Sequence, residues 1–350
     1  MMNLYSLSLR DAQIDKCLPD QQELLTTIAV QNQLRFACSQ VPFWNRRLKE
    51  AGIAPEKINS LKDFAYLPPL SKEELRNLSP WELVPQSSRA NLYICRSTSG
   101  TTGSPTSAFW TRSDWRAMTE TLARLLEIHR PITNIVAFNG YHQGHTAAPA
   151  YDDAIRLLNG ICIPRHYLAD DEDSTLTQIK TFRCNTLILT QRSGLKKSGR
   201  TVEDLLQYQP DFFSQCNLRW WLGSSSLFTK KIREIAYQQG VISITNFYGS
   251  SEFGILAVSC QINPDEFHLI LGHVFVEVID REGFPVSPGQ RGRIVATRLL
   301  TSDLNNGLGP HEGSQFFRLA NGDEAMFLSG KCDCGLSSPR FRDVCRGVAK

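Results

Sequence analysis

Apolar positions recur at helical spacing from about residue 20 to 52. Leu24, Leu25, Ile28, Leu34 and Phe36 are followed by Val41, Phe43, Trp44 and Leu48, before Gly52 breaks the run. That period predicts amphipathic helix. Ser71-Lys-Glu-Glu74 sets a hydroxyl three residues before a carboxylate, a capping box ahead of Leu75 and Leu78. From Leu92 the pattern changes, and short apolar runs suited to strands alternate with amphipathic stretches. The runs are Leu92–Cys95, Ile135–Phe138, Ile161–Ile163, Thr186–Leu189, Leu218–Leu222 and Ile242–Asn246. Helix-like segments lie between them at Trp115–Ile128, Ala147–Leu158, Thr175–Phe182 and Thr229–Gln239. The alternation predicts an α/β domain over residues 1–254, with mainly parallel sheet layers flanked by helices. After Gly254 come four short strands, Ile255–Cys260, Phe267–Leu271, Val274–Asp280 and Arg293–Leu299, separated by turns such as Asn263-Pro264 and Ser287-Pro288-Gly289. They predict a small β-rich subdomain over residues 255–350.

Composition narrows the classes. The chain has 350 residues, 41% hydrophobic, enough for a buried core. Lys and Arg number 38 against 35 Asp and Glu, a net charge of +3, too small to suggest a nucleic-acid or membrane-surface protein. No run approaches eighteen apolar residues, and Met1 to Lys16 lacks a signal-peptide pattern, so a cytoplasmic protein is expected. Of ten cysteines, Cys17, Cys38, Cys95, Cys162, Cys184, Cys216 and Cys345 stand singly and are expected as small buried hydrophobes. Cys260, Cys332 and Cys334 form a separate group.

Two segments carry chemistry. Arg96-Ser-Thr-Ser-Gly-Thr-Thr-Gly-Ser-Pro-Thr106 follows an expected strand, and its hydroxyls, backbone N–H groups and glycines suit a loop wrapped around phosphate oxygens. No Gly-Lys-Ser/Thr follows at Walker A spacing, and a Ser/Thr-rich surface turn is the bland alternative. Asn246-Phe-Tyr-Gly-Ser-Ser-Glu252 ends another strand with an aromatic ring able to stack on a base, hydroxyls for phosphate and a carboxylate for Mg²⁺. Taken alone, such a strand end is usually just a turn.

Together and in this order, these segments resemble the adenylate-forming superfamily of acyl-CoA synthetases and adenylation domains, and within it phenylacetate–CoA ligase. Phe43-Trp-Asn-Arg-Arg-Leu, Leu67-Pro-Pro-Leu-Ser-Lys-Glu-Glu-Leu, Val276-Glu-Val-Ile-Asp, Pro288-Gly-Gln-Arg-Gly-Arg-Ile-Val295 and Gly322-Asp323 extend the resemblance over most of the chain. It implies the large N-terminal domain of that fold. By position it also implies that Ser97, Thr98, Ser99, Gly100, Thr101, Thr102 and Gly103 hold the ATP phosphates. Asn246, Phe247, Tyr248, Gly249 and Ser250 would flank the nucleotide, with Tyr248 against adenine. Ser251 would contact the α-phosphate, Glu252 would bind Mg²⁺, and Asp323 would accept from the ribose hydroxyls. Thr98, Ser251 and Glu252 are then the catalytic candidates. Gly223, Ser224 and Ser225 would wall the adenine and acyl pockets, and Tyr141, His142 and Phe253 would face the substrate. His142 and His145 suit either a polar substrate or a structural role.

The sequence departs from the family pattern in three places. The phosphate loop ends Ser-Pro-Thr106 where relatives carry Pro-Lys. The family's Arg-x-x-Gly-Asp run is one residue longer here, Arg318-Leu-Ala-Asn-Gly-Asp323. Pro339-Arg-Phe-Arg resembles the approach to the hinge that leads, in the family, to a small domain bearing the catalytic lysine, and the sequence stops at Lys350, so that domain is expected to be absent. Cys260, His268, Cys332 and Cys334 offer three thiolates and an imidazole, the donor set of a structural Zn²⁺, weighed against unligated thiols; the same order in phenylacetate–CoA ligase-like proteins favours zinc. The expected activity is ATP-dependent adenylation of an aromatic or hydrophobic carboxylic acid, with the acyl group passed to a reductase or carrier-protein partner in specialised metabolism and CoA use left open. The alternatives are a CoA ligase completed by another chain and a nucleotide-binding pseudo-enzyme. A homodimer is one assembly the sequence admits without fixing the oligomeric state, and no nucleic-acid or membrane partner is expected.

Overall fold

The computed structural model describes residues 10–98, 105–165, 172–191, 201–299 and 310–347. The N-terminal helical run forms two helices, Pro19–Gln40 and Pro42–Glu50. Val41 between them is extended, and Pro42 starts the second helix where a missing N–H costs nothing. The capping box also forms. Glu74 N donates to Ser71 Oγ at 3.1 Å and Ser71 N to Glu74 Oε2 at 2.8 Å, opening the helix Lys72–Asn77.

Thirteen strands follow among the described residues: β1 (Leu92–Ser97), β2 (Ser107–Thr111), β3 (Val136–Asn139), β4 (Ile161–Pro164), β5 (Thr186–Ile188), β6 (Trp220–Ser224), β7 (Ser243–Ser250), β8 (Gly254–Ser259), β9 (Glu266–Leu269), β10 (Val274–Ile279), β11 (Arg291–Arg298), β12 (Leu319–Leu328) and β13 (Arg340–Arg346). Eleven make one sheet in the order β10-β11-β12-β13-β9-β8-β7-β6-β5-β3-β4. The half β4-β3-β5-β6-β7 is parallel. Its crossovers carry the helices Ala147–Leu157, Glu172–Thr181, Val202–Tyr208 and Lys230–Gln238, as parallel pairing requires. The α/β expectation therefore holds for this half. From β7 to β10 every neighbouring pair is antiparallel. The change of direction is a tight return. A Cβ on Gly249 would lie 2.2 Å from the Gly254 carbonyl oxygen, and Gly254 has φ 75°. Only glycine lets the two backbones approach so closely, and Ser251 and Glu252 sit in the turn that results.

The strand at Leu92 is not part of this sheet, contrary to the alternation read from sequence. It pairs antiparallel with β2 in a separate two-stranded ribbon whose connection is the phosphate-loop segment. Strands β12 and β13 were not legible either. β12 carries Asn321-Gly322-Asp323-Glu324 and β13 reads Arg-Phe-Arg-Asp-Val-Cys-Arg, polar sequences held as strands by their pairing partners. The single cysteines divide. Cys17, Cys184 and Cys216 are buried and Cys38 and Cys162 partly so, but Cys95 and Cys345 are exposed, Cys95 because it lies on the outer face of β1. The four tryptophans Trp110, Trp115, Trp220 and Trp221 are core residues.

Two buried arginines tie the N-terminal segment to the sheet. Arg124 Nε lies 2.8 Å from Asp15 Oδ2. Arg318 pairs with Glu277 at 3.0 Å and donates to the carbonyls of Ala65 and Leu67, each at 2.6 Å. Charges removed from water need such complete pairing. No helix among the described residues is long and apolar enough to cross a membrane.

His129, His273 and His311 are buried with no hydrogen bond to either ring nitrogen among the described residues. Burial pulls His129 down to about 4 and His273 and His311 to about 3. Their folded values lie below the unfolded one of about 6.5. Stability is therefore fully present above that pH and falls as pH drops, by up to about 1.4 kcal/mol per histidine per unit. We expect the urea midpoint to be flat from pH 8 to 7 and to fall steeply from pH 6.5 to 5. A midpoint unchanged over that lower window would contradict it.

Candidate active site

In a parallel sheet, ligands collect beyond the carboxyl ends of the strands. Tyr141 follows β3, Ser224 and Ser225 end β6, and Tyr248 to Glu252 end β7, so these residues share one edge. Gly223 is required there: a Cβ would lie 2.6 Å from the Leu189 carbonyl oxygen. Tyr141 Oη donates to the Ser224 carbonyl at 2.9 Å and accepts from Ser224 N at 2.6 Å, fastening the β3 loop to the end of β6. Burial pushes its hydroxyl up to about 12, so it stays protonated. Ser225 takes φ 71° at the turn. Asn246 Nδ2 donates to the Ser226 carbonyl at 3.0 Å. His142 and His145 are exposed. Each ring Nδ1 accepts from a backbone N–H two residues on, Gly144 at 3.0 Å and Ala147 at 3.1 Å, which leaves Nε2 carrying the hydrogen in the neutral ring.

The stem of the phosphate loop is zipped. Ser97 Oγ and Ser107 Oγ lie 2.8 Å apart, Thr98 N donates to the Thr106 carbonyl at 2.9 Å, and Thr106 N donates to Thr98 Oγ1 at 3.0 Å. Ser99, Gly100, Thr101, Thr102 and Gly103 lie outside the described residues. Thr106 Oγ1 donates to Glu252 Oε1 at 2.9 Å, bringing the loop stem onto the carboxylate expected to hold Mg²⁺. Glu252 is fully buried, and its Oε2 has no hydrogen-bond partner among the described residues. Burial pushes its carboxyl up, but Lys72 and the Thr106 hydroxyl outweigh that and hold it below its usual value.

Lys72 is the functional candidate that the sequence reading missed. Its Nζ lies 3.3 Å from Glu252 Oε1. It stands first in the helix Lys72–Asn77, where a cation opposes the helix dipole; that oddity was the available signal. The structure thus sets an ammonium beside the loop whose last turn lacks the family lysine. Thr106, noted from sequence only as a departure, joins the same network.

The residues expected at the ribose are also held by mutual contacts. Tyr248 Oη donates to Asp323 Oδ2 at 2.8 Å, and Arg346 NH1 lies 3.0 Å from Asp323 Oδ1. Asn321, within the Arg318–Asp323 run that is one residue longer here, donates through Nδ2 to the Tyr248 hydroxyl and accepts from Asp323 N at 3.0 Å through Oδ1. The longer run therefore supplies a side chain that fixes both predicted residues. Burial and the neighbouring Asp323 push the Tyr248 hydroxyl well above its usual value. Ser251 is half-buried in the return. Phe247 and Phe253 are buried, Phe247 edge-on to Tyr151 and Phe253 edge-on to Phe316, so Phe253 sits in the core rather than facing an opening.

Away from this edge, the donor atoms of Cys260, His268, Cys332 and Cys334 all lie within 4.8 Å of one another. Cys260 Sγ is 3.5 Å from Cys332 Sγ, and Cys334 Sγ is 3.2 Å from His268 Nε2. His268 Nδ1 faces the Ser338 carbonyl at 3.2 Å, the outer contact that orients a ligating imidazole through its other nitrogen. Three sulfurs and one imidazole suit a closed tetrahedral zinc site.

No family model matches the chain. It is 25% identical over 328 residues to the phenylacetate–coenzyme A ligase of Thermus thermophilus, covering 88% of this chain and 66% of that protein. The Escherichia coli enzyme of the same name is 25% identical over 299 residues, 83% of this chain and 66% of that protein. The chain is similar to phenylacetate–CoA ligases. It spans 66% of the length of these two relatives. Among solved structures, an open conformation of 2-hydroxyisobutyryl-CoA ligase in complex with 2-HIB-AMP and CoA superposes with a TM-score of 0.76 at 18% identity, covering 98% of this chain and 79% of that one. The chain thus shares the fold of that ligase structure, in keeping with the resemblance that the motifs carry.

Lys72→Met would leave Glu252 buried without its cation. We expect a loss of about 2–4 kcal/mol at pH 7.5. The Glu252 pair stabilises above the normal carboxylate range and is lost as pH falls, so the difference from wild type should shrink toward pH 4.5. Urea melts at both pH values check this; equal differences would contradict the pairing.

Proposed function

We propose that this chain activates a carboxylic acid with ATP, forming acyl-AMP and releasing pyrophosphate. The observation that carries the reading is the contact from Thr106 at the phosphate-loop stem to the buried Glu252, with Tyr248 and Asp323 joined at the same sheet edge. The acid's carboxylate attacks the α-phosphorus and pyrophosphate leaves, so the chain's work is positioning and charge stabilisation. Thr98 and the loop after it hold the phosphates, Ser251 orients the α-phosphate, Lys72 offsets phosphate charge, and Asp323 receives the ribose hydroxyls. Glu252, with one carboxylate oxygen unpartnered, would hold Mg²⁺, which neutralises phosphate charge when bound. Tyr141, Ser224 and Ser225 line the acid side, for which the relatives favour an aromatic or otherwise hydrophobic acid.

The adenylate is then passed to a carrier or partner enzyme. Formation of a CoA thioester is the second reading, favoured by the ligase activity that the relatives' names carry. Pyrophosphate release across a panel of arylacetic, benzoic and aliphatic acids, with hydroxylamine trapping and a parallel assay for acyl-CoA, separates the two. Glu252→Ala and Tyr248→Ala should each weaken ATP·Mg²⁺ binding at least about tenfold, roughly 1.4 kcal/mol. Wild-type protein that binds no nucleotide by calorimetry at millimolar ATP would end the adenylation reading.

The Cys260, His268, Cys332 and Cys334 cluster is proposed to hold one structural zinc. It would join the end of β8 and strand β9 to the β12–β13 turn, the hairpin that also carries Asp323. Elemental analysis of protein purified without chelator should give one zinc per chain. Cys332→Ser should lose the metal and weaken ATP binding through the loosened hairpin. Zinc near zero in wild type, or full zinc in the variant, would sink the assignment.

A further inference from the structure

Arg96 stands on β1 two residues before Thr98, and the sequence analysis gave it no role. The burial of β1 alternates, with Leu92, Ile94 and Arg96 on the more enclosed face and Tyr93, Cys95 and Ser97 exposed. Ile94 on that face packs against the main hydrophobic core, and Arg96 is paired in register with the fully buried Ala108. The Arg96 Nε is shielded from solvent and has no hydrogen-bond partner, and no carboxylate among the described residues pairs with the guanidinium. Arg96 is only partly enclosed, so its charge keeps some contact with solvent, but the shielded Nε–H is left without an acceptor, and a fork of five N–H donors matches a carboxylate.

Its place selects the ligand. Thr98 begins the loop that takes the phosphates, and a strand advances about 7 Å in two residues. Arg96 therefore lies a step back from the phosphates. The Arg96 charge acts on the His145 imidazole, so the two side chains are neighbours. The His145 ring stacks on Tyr141 at 5.4 Å, and Tyr141 is bound to Ser224 at the wall assigned to the acid.

We propose that Arg96 binds the carboxylate of the incoming acid, with His145 Nε2–H as a second donor, and holds it beside the α-phosphate. This rests on the adenylation reading. The guanidinium would offset the repulsion between two anions that must meet for the bond to form, and it touches the reacting group directly.

The test takes the acid giving the fastest pyrophosphate release in the panel, together with its primary amide, which keeps the shape and loses the charge. Wild type should bind the acid at least about tenfold tighter than the amide. Arg96→Gln should remove that preference, raise KM for the acid more than it lowers kcat, and leave the ATP dissociation constant and the thermal midpoint within about twofold and a few degrees. Arg96→Lys, which keeps the charge and loses the fork, should fall between, and it carries the test if Arg96→Gln does not fold. Unchanged acid affinity in the variants overturns the proposal, and means that Arg96 is paired within the chain. ATP affinity falling as much as acid affinity also overturns it, assigning the guanidinium to the phosphates. If wild type binds ATP but no acid releases pyrophosphate, the adenylation reading fails first and is recognised as such.

Discussion

The site is assembled around Arg298. Its guanidinium is wholly buried at the end of β11, donates to the carbonyls of Glu252, Phe109 and Ser314, and lies 3.7 Å over the Trp110 ring. These three carbonyls belong to the β7–β8 return, to β2 of the separate ribbon and to the segment before β12. One side chain thus fastens the two-stranded ribbon to the eleven-stranded sheet. Burial pulls Arg298 down to about 9, which leaves it charged at neutral pH. Because its acceptors are carbonyls, the Glu252 carboxylate is left to Thr106 and Lys72. The buried guanidinium is thus spent on architecture, and the carboxylate stays free for the role proposed for it.

Lys72 depends on a second anchor of the same kind. Leu70 N donates to the Arg318 carbonyl at 3.1 Å and Ala320 N to the Leu70 carbonyl at 2.9 Å, so the Leu67–Leu70 segment runs beside the start of β12. The Arg318 side chain meanwhile grips Ala65, Leu67 and Glu277. The Lys72–Asn77 helix therefore starts from a fixed point, and its first side chain reaches the same Glu252 oxygen as Thr106. The same β12 carries Asn321 and Asp323 to Tyr248. Lys72 and Asn321, more than two hundred residues apart in sequence, are thereby both set by one strand.

The metal-suited cluster belongs to this plan. It gathers the end of β8, strand β9 and the β12–β13 turn, while Phe341 in β13 packs edge-on against Tyr248 at 5.3 Å. Fixing that turn steadies the hairpin whose other end presents Asp323 and Arg346. The antiparallel half of the sheet thus supports the residues proposed to face the nucleotide, and the parallel half carries those proposed to face the acid.

The sequence by itself determined the local elements. Helical periodicity gave the N-terminal helices, the Ser71 box gave its helix start, and buried runs such as Trp220–Leu222 gave the parallel strands, because short-range propensity and burial are written in neighbouring residues. Motif order also named the four cysteine and histidine side chains that cluster in the structure, and the two strand ends proposed for the nucleotide. Tertiary structure decided the rest. It took β1 out of the parallel sheet, made strands of the polar β12 and β13, and continued one sheet through Gly254. It also brought Lys72 and Thr106 to Glu252 and gave Asn321 its place. Each of these depends on pairing across tens to hundreds of residues, where a hydrogen-bond partner or a buried countercharge, rather than local pattern, sets the outcome.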